Sequence, residues 1–300
     1  MTAEQELLTI RDLLRYAVTR MERAGVSYGH GTDSAFAEGM FLIAEQLRLP
    51  HDGIEPFLEA RLTLGERQEI IALIERRIAS RKPAAYLVNR AYIGDFRFYV
   101  DERVIVPRSF IGELLCSGRL GEAGLIADDG AILRILDLCT GSGCLAILAA
   151  MAFPESRIDA VDVSPDALAV ARRNVDDYGL SDRIHLHKGD LFAPLGDSRY
   201  DLIITNPPYV AGDAMASLPP EYRQEPALAL AGGADGLAVV RRILIDAPEH
   251  LTGNGGLLCE IGEGRDRLEQ AFPRLPFFWL DTEASEGEVF WLPELEEARG

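Results

Sequence analysis

The chain has 300 residues, 48% hydrophobic and 26% charged, with a formal net charge of -18: the composition of a soluble globular chain long enough for two domains. Such an acidic surface repels phosphate backbones, so direct nucleic-acid binding is not expected, and it attracts basic protein instead. No apolar run reaches the ~20 residues of a membrane-spanning helix, the start reads as no signal peptide, and the four cysteines and five histidines lack metal-ligand spacing, so a reduced, cytoplasmic protein without metal catalysis is expected.

Residues 1 to about 80 read as helical. One helix is expected over residues 4–25, with Leu7, Ile10, Leu14, Ala17, Val18 and Met21 on one face and Gly25 as its stop. Thr32 or Asp33 is the expected cap of a second helix over 34–49, closed by Pro50, and a third apolar stripe covers 63–80. His30, in YGHGTD, reads as the organiser of a turn. Residues 83–108 alternate aromatic and polar side chains around Gly94-Asp95, as a hairpin would, and form the candidate linker.

After residue 130 the pattern becomes strand, turn, helix, repeated. LRILDLC, RIDAVDV, RIHLHKGDL, YDLIITN and GLLCEI read as strands; CLAILAAMA, PDALAVARRNVDDYG and GLAVVRRILIDAPEHL read as helices. The alternation predicts an α/β fold, a mostly parallel sheet covered by helices on both faces. FFWLDTEASEGEVFWL adds an antiparallel pair at the sheet's edge. The organisation expected is a helical domain over 1–82, a β-hairpin linker over 83–108 and the α/β domain over 109–300.

Asp137 ends the first of these strands, and Gly141-Ser142-Gly143 opens the next helix, where glycines permit a tight turn and close approach of a ligand. A lone G-x-G is weak evidence, but the next strand ends in Asp162, placed to accept both hydroxyls of a ribose. A dinucleotide site would want a third glycine where Ala146 stands, though some such sites tolerate alanine there, and Asp137 would sit badly beside a pyrophosphate. S-adenosylmethionine, with a sulfonium, an ammonium and no phosphate, suits these residues better. Asp190, at a third strand end, is placed to accept from an adenine amino group, with Leu191 against the ring.

The fourth strand runs into Asn206-Pro207-Pro208-Tyr209. Two prolines remove two backbone donors and leave carbonyl oxygens, to which the asparagine adds a side-chain acceptor. A wall of acceptors fits a planar NH2 group, with Tyr209 to stack on its plane. Accepting from both N–H groups raises electron density on a nitrogen whose lone pair is otherwise delocalised.

DLCTGSG, DVSPDAL, GDLF, NPPY and EPALALAGGADGL together resemble the protein-(glutamine-N5) methyltransferases. The resemblance implies a Rossmann-like class I methyltransferase sheet, mostly parallel with an antiparallel edge strand, and S-adenosylmethionine as cofactor. It implies that Asp137, Thr140, Gly141, Ser142 and Gly143 line the methionine portion, Asp162 the ribose, and Asp190 and Leu191 the adenine. Asn206, with the carbonyl of Pro207 and flanked by Pro208, would hold the acceptor amide, Tyr209 would pack over it, and Pro107 and Arg108 would close the crevice. YGHGTDSAFAE, AYLVNRAYIGDFRFYVDERVIVPRSFIGELL and GEVFWL look like the branch acting on the third protein of the large ribosomal subunit, a basic substrate. The alternatives are the release-factor branch, a nucleic-acid amino methyltransferase and a non-enzymatic assembly factor.

Overall fold

Local capping decides how the N-terminal third is cut into helices. The computed structural model describes residues 2–293 except 52, 119, 121–124, 126–131 and 283–284; the last stretch of the expected third domain, 294–300, lies outside them. The helix expected over 4–25 is two, α1 (Ala3–Glu6) and α2 (Ile10–Arg23). Thr9 interrupts it: its hydroxyl accepts from Asp12 N, and the Asp12 carboxylate accepts from Leu8 N and Thr9 N. This reciprocal cap satisfies donors that helix continuation would leave bonded elsewhere. Gly25, at φ +58°, ends α2. Ser34, rather than Thr32 or Asp33, caps α3 (Ala35–Leu47) by accepting from Ala37 N, and Arg48 in the left-handed region closes it before Pro50. α4 (Leu64–Ser80) opens on a Thr63–Glu66 capping box, and α5 (Ala84–Val88) follows. The core shared by α2, α3 and α4 contains Ile10, Leu13, Leu14, Met21, Ile43, Ile70 and Ile74.

β1 (Ala91–Ile93) and β2 (Phe96–Phe98) pair antiparallel across Gly94-Asp95, and α6 (Phe110–Ser117) leads on. Seven strands make the main sheet: β3 (Arg134–Leu138), β4 (Arg157–Asp162), β5 (Ile184–Lys188), β6 (Tyr200–Thr205), β7 (Leu251–Glu260), β8 (Phe278–Leu280) and β9 (Val289–Pro293). Their order is β5-β4-β3-β6-β7-β9-β8; the first five are parallel, and β9 runs antiparallel to both neighbours. The antiparallel strand is therefore not the edge itself. β8 forms the edge, and the hairpin-like return from it inserts β9 beside β7.

The sheet's two faces follow the period-two alternation of strand side chains. Ile135, Ile158, Leu202 and Ile204 pack on one face with α6 and α7 (Cys144–Ala152). Leu136, Leu138, Ile203 and Leu257 pack on the other with α11 (Ala238–His250) and α12 (Arg265–Ala271). α8 (Pro165–Asp177) follows β4, with Pro165 in its first turn and Ser164 as its cap. Between β6 and β7 the chain makes two short helices, α9 (Gly212–Ser217) and α10 (Ala227–Leu230). Among the described residues, no helix is long and apolar enough to cross a membrane.

Candidate active site

Four strand ends meet at one crevice. β3 has β4 on one side and β6 on the other, so the winding of the sheet reverses there, and a cavity of about 350 Å³ opens at the carboxyl ends of the parallel strands. Cys139 and Gly141 border it after β3, Asp162 after β4, Asp190 and Leu191 after β5, and Asn206 and Pro208 after β6. Two of these non-glycine residues, Cys139 (φ +59°) and Leu191 (φ +51°), hold left-handed backbone. The other non-glycine residues in that region, Arg48, Arg81 and Asn89, are helix C-caps where the conformation is ordinary; at Cys139 and Leu191 it bends the chain around the cavity instead.

Asp162 holds the glycine loop as well as facing the cavity. Its Oδ2 accepts from Gly141 N at 2.9 Å and its Oδ1 from Ser164 N at 2.8 Å. Burial still pushes its pKa up against those two bonds. Asp190 accepts from Arg242 at 2.8 Å, with both side chains about half exposed, so the pair is weak and open to exchange.

Asp137, Thr140, Ser142 and Gly143 do not border the cavity, contrary to the lining expected of them. Their polar groups are engaged in the wall behind it. Asp137 Oδ2 accepts the Thr140 hydroxyl at 2.5 Å and Ala146 N at 3.1 Å, and the Ser142 carbonyl accepts from Asn174 at 2.8 Å. Gly143 is pressed against α8, where a Cβ would sit 3.2 Å from Ala171. Asp137 is fully buried, its Oδ1 has no hydrogen-bond partner, and burial pushes its pKa up to about 7.

The wall on the linker side is Arg103, Val104 and Ile105, rather than Pro107 and Arg108. Arg108 is turned away because its guanidinium forks onto Glu225, at 2.6 and 2.7 Å. Glu225 also accepts from Val106 N at 2.9 Å, and His30 Nε2 lies 3.6 Å from it. Burial alone would raise Glu225, but His30 and Arg108 outweigh it and hold the carboxyl down at about 2. His30 therefore does more than shape a turn: it is buried against Tyr222, ring centroids 4.2 Å apart. The neighbouring Pro226 borders the cavity.

Asn206 reveals a partner that the sequence left unmarked. Its Nδ2 donates to Glu260 Oε1 at 3.0 Å. Glu260, at the end of β7, is 1% exposed, and its Oε2 accepts the Ser109 hydroxyl at 2.6 Å and Phe110 N at 2.9 Å. With Nδ2 so engaged, Asn206 is left with Oδ1 as its unengaged polar atom. Pro207 and Tyr209 stand behind Asn206 and Pro208 and do not border the cavity. The Tyr209 ring lies against Gly262, where a Cβ would meet it at 2.8 Å, and a Cβ at Gly232 would strike Tyr209 Cα at 2.7 Å. The chemistry on offer is a set of carboxylates for a cationic ligand, and an acceptor oxygen beside donor-free prolines.

Strand order, crevice and acceptor set together define a class I methyltransferase. Residues 126–218 match the family described as Methyltransferase small domain. Over 96% of its length the chain is 60% identical to a ribosomal protein uL3 glutamine methyltransferase of Bradyrhizobium diazoefficiens, covering 91% of that protein. The namesakes from Bordetella pertussis (54% identical, 96% of each chain) and Burkholderia pseudomallei (52%, covering 96% and 95%) are similar over the same extent. The chain belongs to the family of ribosomal protein uL3 glutamine methyltransferases. Its methyl donor is S-adenosylmethionine, and the residues present fit that cation: Asp162 faces the cavity, and Asp137, in the wall behind it, keeps a buried oxygen without a partner.

Proposed function

We propose that this chain transfers a methyl group from S-adenosylmethionine to the side-chain amide nitrogen of a glutamine in ribosomal protein uL3, the substrate after which its relatives are named. The observation that carries the reading is the engagement of Asn206 Nδ2 by Glu260, which leaves Oδ1 to accept from an amide NH2. Bound S-adenosylmethionine supplies an electrophilic methyl on a sulfonium. Asp162 would hold its ribose and Asp190 and Leu191 its adenine, while Asp137, kept in the wall behind the cavity by Thr140 and Ala146, would act on its charged end from there.

The chain's own contribution is orientation. A planar amide that donates one N–H to Asn206 Oδ1, and the other to the Pro207 carbonyl behind it, would present its nitrogen in one direction and gain electron density there. Tyr209 supports this arrangement through its backing on Gly262. In this reading residues 1–82 recognise the substrate, 83–108 link, and 109–300 carry the reaction. The substrate is basic, the reaction cytoplasmic, and no nucleic acid is bound directly.

Asn206→Ala tests it. Cofactor affinity, measured by titration calorimetry, is expected to stay within a few-fold, while methylation of uL3 falls about 100-fold or more, the scale of one lost orienting contact. Near-parent turnover in a folded variant would remove the Asn206 clamp, and label in a release factor rather than uL3 would replace the substrate.

A further inference from the structure

Glu260 belongs to none of the expected site residues, yet its two oxygens are used unequally. Oε2 already receives two donors, the Ser109 hydroxyl and Phe110 N. The hydroxyl has no other choice, because Ser109 Oγ also accepts Ile111 N at 3.2 Å and must point its proton at Glu260. Oε1 accepts from Asn206 Nδ2 at 3.0 Å and from the Tyr209 hydroxyl only at 3.5 Å, so it is the less tightly held oxygen and the one that takes an added proton.

We propose that Glu260 is a positioning residue that sets which end of the Asn206 amide meets the acceptor, and that the enzyme works only while Glu260 is ionised. Ionised, Glu260 accepts only and draws Nδ2 to itself, so Oδ1 is presented to the substrate. Protonated on Oε1, it offers an O–H where Asn206 offers an N–H. Asn206 relieves the clash by turning its amide over, which sends NH2 toward the cavity and repels a substrate NH2.

The setting makes this switch sensitive near neutrality. Burial pushes the Glu260 pKa up to about 7, partly offset by Ser109, Phe110 N and Ile111 N, while the Glu288 carboxylate beside β9 adds a like charge. The remaining groups facing it are the Tyr209 phenol, the Asn206 amide and the Cys259 thiol of its own strand. Arg108, one residue before Ser109, is paired with Glu225. The sign is fixed: the ionised fraction falls as pH drops through about 7, and activity falls with it.

Glu260→Gln tests the idea, because Ser109 and Phe110 N both donate and will hold the new side-chain oxygen, leaving its NH2 facing Asn206. The variant copies the protonated state at every pH. With cofactor saturating, kcat for the parent is expected to show an acid limb near neutrality; the variant is expected to be slower by about 10- to 100-fold above it, the rate equivalent of one charge-assisted hydrogen bond, and flat. Its S-adenosylmethionine affinity stays within a few-fold, and its thermal midpoint at pH 8 rises, since a buried charge has gone. A merely structural residue would lose stability along with rate. Asp137, also raised to about 7, is intact in the variant, so an acid limb that persists in Glu260→Gln overturns the proposal, as does a parent-like kcat. The inference rests on the glutamine reading: a parent that methylates no glutamine sinks that reading and this one together, whereas an active parent with an unaltered variant sinks the role of Glu260 alone.

Discussion

At the scale of single residues, Asp162 shows how one carboxylate can serve loop and ligand together. It ties Gly141 N and Ser164 N across the crevice and still borders the cavity. Asp162→Ala removes the acceptor proposed for the ribose and frees the glycine loop. Affinity for S-adenosylmethionine is expected to fall about tenfold or more, the scale of a hydrogen bond to a charged group; an unchanged dissociation constant by calorimetry would take Asp162 out of the site. Acids of this kind are legible in the sequence because each follows an apolar strand and precedes a glycine or helix cap. Glu260 is not: it lies 54 residues from Asn206, inside Gly-Leu-Leu-Cys-Glu-Ile, where nothing local separates it from an ordinary buried strand. The same limit applies to Asp190, whose position was legible but whose pairing with Arg242 was not. Contacts between distant segments leave no mark on local pattern.

At the scale of elements, the segment between β6 and β7 is held by charges from the helical layer. Arg77 of α4 is fully buried, 2.8 Å from Glu38 of α3 and 3.6 Å from Glu221, and Arg81 reaches Glu221 at 3.0 Å. Glu221 leads into Tyr222 and Glu225, which His30 and Arg108 grip, and then into the cavity wall at Pro226 and Leu228. Most helices and strands and the hairpin could be read from periodicity and turn residues, since these are local properties, whereas the order of strands in the sheet could not. Nor could the buttressing of the active-site wall by the helical layer, because Arg77 sits in a sequence that reads as a plain amphipathic helix. Arg77→Ala leaves the buried Glu38 without its cation, while Glu221 keeps Arg81, and is expected to destabilise the fold by about 3–5 kcal/mol. Chemical denaturation is the check; a loss within ~0.5 kcal/mol, the level of an ordinary surface substitution, would mean the network contributes nothing.

At the scale of the whole molecule, the dominant fact is the net charge of -18. A field of that sign acts before contact: it draws in a basic partner and orients it, raising the rate of encounter more than the strength of the final complex. On the proposed reading the cavity selects an amide and little of what surrounds it, so selection of uL3 over other glutamine-bearing proteins would fall to surfaces outside the cavity and to this long-range attraction. Raising salt from roughly 0.1 M to 1 M shortens the screening length from about 10 Å to about 3 Å. On the proposed substrate, kcat/KM is therefore expected to fall steadily with salt while kcat, which begins from the assembled complex, changes little. A short glutamine peptide of neutral charge provides the control, because it has no field to respond to and its kcat/KM should stay nearly level. If kcat/KM for uL3 proves as insensitive to salt as that for the neutral peptide, the acidic surface serves solubility alone and substrate choice must be sought in direct contacts of the helical layer.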